Sequence, residues 1–262
     1  MPRLLLEYQK AKFKDNVHFK VPESDFQKFS PLLLGLGDVS KQGQYHHALA
    51  AIFDLEGFTD FTNQIEPHLV VPDFLGAFLK WLLKEVSEEM EVGREGSDVY
   101  LWSSLPIFAK FLGDGVLFLW DTSALSHMGI GNIVISMDSI CTKYVSQFLP
   151  NVSQRVTKPP IKLRCGIARG QIMSVGDGND FVGPCINLAS RLQHLAPFNL
   201  ATSRKGIDPE KCFTESYRGE FQLIRTPIRG IGDEELVLVR KSEFEALSNE
   251  TRLAYIKDLG AS

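Results

Sequence analysis

The sequence predicts an α+β domain, a β-sheet with helices packed on one face. Three observations predict it. AAIFDL, from Ala50 (or Ala48) to Leu55, is short, apolar and uninterrupted, as a buried strand is, and it breaks at Gly57. In PIFAKFLGDGVLFLW two apolar runs flank Gly113-Asp114-Gly115, a hairpin with a D-G turn. Segments of helical spacing alternate with these strand-like runs, in the rough order β-α-β-β-α-β-β-α-β-β.

Taken in order, residues 1–44 read as an N-terminal extension with some helix, charged at first and Gly-rich at its close. After the first strand, helical signals run from Phe58 to Met90. Pro72 suits a first turn, Phe74, Ala77, Phe78, Trp81 and Leu82 share a face, and Lys80, Lys84, Glu85, Glu88 and Glu89 face away. GREGSD reads as a loop before the D-G hairpin. Residues 128–149 read as a helix, and NVSQRVTKPP as a loop. IKLRCGIARGQIMSVG reads as two strands around a turn at Arg169-Gly170, and VGPCINLASRLQHLA as a helix. FQLIRT and ELVLVRK read as strands separated by RGIGDEE, and residues 241–262 as a charged C-terminal helix, leaving 45–240 as the main domain.

Composition narrows the function. The 262 residues carry 28 Lys+Arg against 32 Asp+Glu, a net charge of -4, so bulk charge does not point to a nucleic-acid partner. No apolar stretch approaches the ~20 residues of a membrane span, and the opening, with its short Leu4–Leu6 run, does not read as a signal peptide. Cys141, Cys165, Cys185 and Cys212 form no C-x-x-C pair and read as buried, reduced thiols of a cytoplasmic protein. His46-His47 reads as an exposed loop pair, and Trp81, Trp102 and Trp120 as core or interface anchors. GDGNDFVG lacks a surrounding βαβ unit, which excludes a Rossmann site, and no P-loop motif occurs.

Two carboxylates end apolar strands: Asp54 in IFDLEGFT and Asp114 at the hairpin tip. Acids so held can ligate Mg²⁺ or Mn²⁺ while substrate phosphates complete the shell. The alternative reading is structural, with Asp54 capping a turn and Asp114 the favoured residue of a D-G hairpin. Asn187 and Arg191 stand at i and i+4 of a helix and share one face.

AIFDLEGFTDFT, AKFLGDGVLFL and RCGIARGQIMSVGDGNDFVGPCINLASRL, in this order, resemble the three signatures of class III nucleotidyl cyclases, over about residues 46–240. The resemblance implies a ferredoxin-like, palm-type β-α-β-β-α-β core in a head-to-tail homodimer with active sites shared between chains. It implies two divalent cations, Mn²⁺ or Mg²⁺, on Asp54, Asp114 and the backbone carbonyl of Leu55. Lys110 and Asp180 match the base-reading pair, Asn187 the ribose-orienting residue and Arg191 the group that stabilises charge on the α-phosphate. Gly57, Phe58 and Thr59 match the turn whose amides hold the β- and γ-phosphates. Arg229 falls where the family usually has a phosphate-binding Lys, keeping the charge and changing its geometry. The implied reaction is cyclisation of a nucleoside triphosphate, with expulsion of pyrophosphate.

The Lys-Asp pair fits adenine, cytosine and uracil alike, so pocket depth must choose, and Phe53, Phe111 and Phe181 are the bulky candidates. PIFAKFLGDGVLFLW and RGIGDEELVLVRKSEFEAL further resemble stand-alone bacterial cyclases of the antiphage Pycsar type. That likeness implies a pyrimidine substrate, UTP ahead of CTP, and a cyclic product read by a separate effector protein; from charge and hydropathy, neither nucleic acid nor membrane is expected as a partner. The alternatives are an adenylate cyclase, a non-catalytic cyclase-like nucleotide-binding or dimerisation domain, and a polymerase-like phosphotransferase. The last lacks its acidic Gly-Gly-Asp-Glu-Phe turn.

Overall fold

The computed structural model describes residues 4, 6–14, 16–64 and 67–256. Part of the Leu4–Leu6 run and residues 257–262 of the expected C-terminal helix lie outside the described residues. The chain divides into two compact units, one of Met1–His46 with Ile172–Gly183 and one of His47–Gln171 with Pro184–Ser262.

The first unit opens with an antiparallel hairpin, β1 (Gln9–Phe13) and β2 (Asn16–Lys20), where the sequence reading expected some helix. Among the described residues of this unit, helix is confined to α1 (Glu23–Phe26) and a 3₁₀ turn at Pro31–Leu34. The strand β3 (Tyr45–Glu56) begins here and runs into the second unit. His46 and His47 therefore lie in a strand, not in a loop, with His46 edge-on to Phe181 at 5.8 Å between ring centroids.

In the second unit β3 leads to α2 (Phe58–Thr62) and the long α3 (Pro67–Met90). The helix starts at Pro67, so Pro72 lies inside it and not in the first turn. Next comes a hairpin, β4 (Glu91–Glu95) and β5 (Asp98–Leu101), in place of the expected loop. Gly96, at φ +60°, supplies its turn, and the Arg94–Glu91 ion pair at 2.8 Å bridges one strand. Then follow β6 (Phe108–Phe111), β7 (Gly115–Asp121) and α4 (His127–Lys143). After α4 comes a π-helical turn, Tyr144–Phe148, and α5 (Leu149–Val152).

The remainder comprises β8 (Lys162–Val175), β9 (Asp180–Val182) and α6 (Pro184–Leu192). It continues with β10 (Leu200–Ser203), α7 (Pro209–Cys212) and α8 (Glu215–Arg218). The hairpin β11 (Phe221–Ile228) and β12 (Gly232–Arg240) is followed by α9 (Lys241–Glu245) and α10 (Asn249–Ile256). The expected C-terminal helix is thus two short ones.

Among the described residues eight strands form one sheet, ordered β11-β12-β10-β8-β3-β7-β6, with β9 on β8. The pairing of β10 with β8 is parallel; β3–β7, β6–β7, β10–β12 and β11–β12 are antiparallel. Leu49, Ala51, Phe53 and Leu55 of β3 face a core built with Phe74, Phe78 and Leu82 of α3 and Ile133, Met137 and Ile140 of α4. Glu85 does not face away: it is buried and, with Glu89, pairs with Lys143 of α4 at 2.9 and 2.8 Å.

Helices cover both faces of the sheet, not one. α6 seats Ala189 over Gly166 of β8 so closely that a Cβ there would overlap the Ala189 carbonyl. Cys165 and Ile167 belong to the α3–α4 core, so by strand alternation Gly166 and α6 lie on the opposite face. Burial on both faces explains why β3 reads as a continuous apolar run instead of an alternating one. It also explains β8, which is one strand and not two. Gly170 is no turn; it leaves room for Cys185, which would stand 3.3 Å from an added Cβ. All four cysteines are buried and form no disulfide. Trp120 is buried, whereas Trp102 is 59% exposed and is no core anchor.

Candidate active site

The two acids are brought together by strand register. Asp54 of β3 lies opposite Gly115 of β7, and the Leu55 N–H donates to the Asp114 carbonyl at 3.2 Å. Each glycine of the Gly-Asp-Gly turn has a reason. Gly113 takes φ +103°, a region that side chains avoid. Gly115 lies against the Phe53 carbonyl, which a Cβ would overlap. Asp54 is buried and Asp114 half-buried. Just beyond β3, Gly57 at φ +83° turns the chain into α2, leaving Gly57 and Thr59 exposed and Phe58 half-buried. Asp54, Leu55, Asp114 and the 57–59 turn therefore share one end of two neighbouring strands.

The sequence reading missed Arg164. This residue of β8, the other neighbour of β3, places its guanidinium 2.5 Å from the Asp54 carboxylate and 3.7 Å from Glu56. Lys162 stands 3.9 Å from Glu56. A carboxylate withdrawn from water needs an opposite charge, and Arg164 supplies it. Its Nε is buried with no hydrogen-bond partner among the described residues. The signal in KLRCGI was the alternation that sets Lys162, Arg164 and Gly166 on one face; only the strand order reveals Asp54 as the neighbour.

Asn187 and Arg191 share the outer side of α6 and are exposed. Cys185, Leu188, Ala189 and Leu192 face the sheet, so the pair turns away from the sheet that carries Asp54. Burial pushes the Cys185 thiol up to about 11, which keeps this anchor neutral. Lys110 is half-buried in β6, opposite Leu117 of β7. Arg229 is exposed at the β11–β12 turn, beside Gly230 at φ +76°. Asp180, in the first unit, opens β9 opposite Val175 and accepts the Phe181 N–H at 2.9 Å. Of the bulky candidates for base choice, Phe53 is excluded: it is fully buried in the core, packed edge-on to Phe118, on the opposite side of β3 from Asp54. Phe111 is exposed and Phe181 half-buried.

No family model matches the chain, and no curated protein sequence does. Among solved structures, the adenylyl cyclase CyaB from P. aeruginosa is similar over 76% of this chain and 96% of that one, at 16% identity and a TM-score of 0.56. The chain has the class III nucleotidyl cyclase fold. The catalytic core of a rhodopsin-guanylyl cyclase with converted specificity, in complex with ATPαS, is similar over 76% of this chain and all of that one, at 15% identity and a TM-score of 0.51. Among the described residues no helix is long and apolar enough to cross a membrane, and no three His, Cys, Asp or Glu side chains converge as a metal cluster.

Proposed function

We propose that the chain is a nucleotidyl cyclase that converts a nucleoside triphosphate to its 3′,5′-cyclic monophosphate and pyrophosphate. The observation that carries this reading is the juxtaposition of Asp54 and Asp114 at the ends of neighbouring strands, beside the Gly-Phe-Thr turn.

The donor set suits divalent cations. Two carboxylates and the Leu55 carbonyl are hard oxygen ligands, and the Arg164 pairing shows that Asp54 sits where positive charge is favoured. Two carboxylates without a third side chain leave ligand positions for substrate phosphates. Bound there, Mg²⁺ or Mn²⁺ would lower the proton affinity of the 3′-hydroxyl and neutralise the leaving phosphates. In the reaction the 3′-oxygen forms a bond to the α-phosphorus and the bond to the β-phosphate bridging oxygen breaks. Pyrophosphate leaves with that electron pair, and the hydroxyl proton passes to solvent.

The chain's own residues position and balance charge. The amides of Gly57, Phe58 and Thr59 hold the β- and γ-phosphates, and Arg229 adds positive charge to them. Arg164, paired with Asp54 and close to Glu56, would add positive charge beside the acids. Asn187 orients the ribose and Arg191 stabilises the charge on the α-phosphate. Both point away from their own sheet, which supports a homodimer in which they serve the acids of a second copy. Lys110 and Asp180 are assigned to the base through the resemblance.

The finer reading is a pyrimidine substrate, UTP ahead of CTP, whose cyclic product signals to a separate effector in antiphage defence. Its support is the likeness of two segments to the Pycsar-type cyclases. ATP is the second reading, favoured because the similar structures are named adenylyl cyclase or hold ATPαS. Incubation of the purified protein with each of the four triphosphates and Mn²⁺, resolving cyclic product from linear nucleotide, tests both. Preference for ATP would remove the pyrimidine reading and leave the cyclase reading standing.

A further inference from the structure

Residues 35–44 grip the four-residue turn between β8 and β9, entirely within the first unit. Asp177, at the tip of that turn, is held through both carboxylate oxygens: Oδ1 by the Lys41 ammonium at 2.5 Å and Oδ2 by the Asp38 N–H at 3.2 Å. The Asp177 N–H donates to the Leu36 carbonyl at 2.8 Å, and the Asn179 amide to the Gly35 carbonyl at 3.3 Å. At the base of the turn Gln44 and Ser174 exchange two hydrogen bonds of 2.9 Å, Gln44 N–H to Ser174 Oγ and Ser174 N–H to the Gln44 carbonyl.

Sterics close the same contact. A Cβ on Gly37 would overlap Asp177, on Gly43 the Ser174 carbonyl, and on Gly176 the Leu36 carbonyl. Asp38 is itself fixed by accepting the Ser40 N–H and hydroxyl at 2.9 and 2.6 Å. The Lys41 ammonium lowers the Asp177 carboxyl, so the pair is charged at neutral pH. The residue that follows this turn is Asp180, paired with Val175 across the hairpin.

We propose that residues 35–44 are a clasp that sets the position of Asp180, making Lys41, Gly37 and Asp177 positioning residues for base selection. The proposal rests on the reading of Asp180 as a base contact, and gives the N-terminal extension a part in specificity. A carboxylate discriminates between bases only while its oxygens stay in place, because a small displacement forfeits the hydrogen bond that separates one base edge from another. The extension supplies that restraint from outside the core, through an exposed ion pair that salt can loosen.

The test compares wild type with Lys41→Met, Asp177→Asn, Lys41→Arg and Asp180→Ala by two readouts. Hydrogen exchange over residues 174–182 reports the clasp itself, and competition among the four triphosphates reports selectivity. Lys41→Met and Asp177→Asn are expected to speed exchange in this hairpin and to cut discrimination roughly tenfold through KM, with kcat for the preferred nucleotide within about twofold. Lys41→Arg should retain both properties. Salt should erode selectivity in wild type and not in Lys41→Met. Unchanged exchange and selectivity in Lys41→Met and Asp177→Asn would overturn the clasp, whatever Asp180→Ala does. Faster exchange in those variants, with selectivity untouched by Asp180→Ala, would instead overturn the base-reading role and with it the clasp's part in specificity.

Discussion

Asp54 combines near-complete burial with a single strong partner, and this decides how it is to be tested. Asp54→Ala would strand the Arg164 guanidinium, and breaking a mostly buried pair costs ~3–5 kcal/mol, so loss of activity could simply reflect unfolding. Asp54→Asn keeps the shape and a hydrogen-bond acceptor while removing the charge. It is expected to lower kcat by roughly 10²-fold or more, with the circular dichroism spectrum unchanged, and Asp114→Asn likewise. A folded Asp54→Asn enzyme of normal turnover would remove Asp54 from the chemistry. Asp138 of α4 offers a separate residue-scale test. Burial pushes its carboxyl up to about 6, Arg240 works against that rise, and Glu243 and Glu220 add to it. The folded chain thus retains a proton that the unfolded chain, titrating near 3.8, has lost. This contribution is fully present below pH 3.8 and fades as pH rises through 6, on the order of 1–3 kcal/mol. Asp138→Asn should flatten that part of the stability–pH profile in urea melts; an unchanged slope would exclude Asp138 as its source.

At the scale of elements, the seating of α6 on β8 links packing to function. Gly166→Val would drive a side chain into the Ala189 carbonyl and the Gln193 N–H, lifting the helix that carries Asn187 and Arg191. The expected result is a loss of ~1–3 kcal/mol or more in a thermal melt together with a large fall in turnover. Unaltered melting and rate would mean that the helix is not held there. The same glycines show what the sequence could and could not disclose. The long helices were legible because their apolar residues recur at helical spacing, and the first strand and the Asp114 hairpin because their apolar runs break at glycines. β8 was misread because Gly170 signals a turn locally, whereas its cause is a cysteine from another element. LATS is too short and undistinguished to announce β10. The paired acids were legible as strand-end carboxylates. Arg164 was not, because its relation to Asp54 arises only from strand order.

For the whole molecule, the placement of Asn187 and Arg191 on the outer side of α6 is the observation that asks for a second copy. A single chain keeps its acids at one strand end and presents Asn187 and Arg191 outward, so on the proposed reading a working site would draw its two halves from different copies. The most direct measurement is complementation. Asp114→Asn and Arg191→Ala chains are purified separately, mixed under conditions that exchange subunits, and assayed for cyclic product with Mn²⁺ and each triphosphate. Each variant alone should be inactive. The mixture should recover roughly a quarter of wild-type activity, since half of the dimers are mixed and each mixed dimer has one intact site. A fully active monomer, or no recovery among demonstrated heterodimers, would contradict the shared-site cyclase.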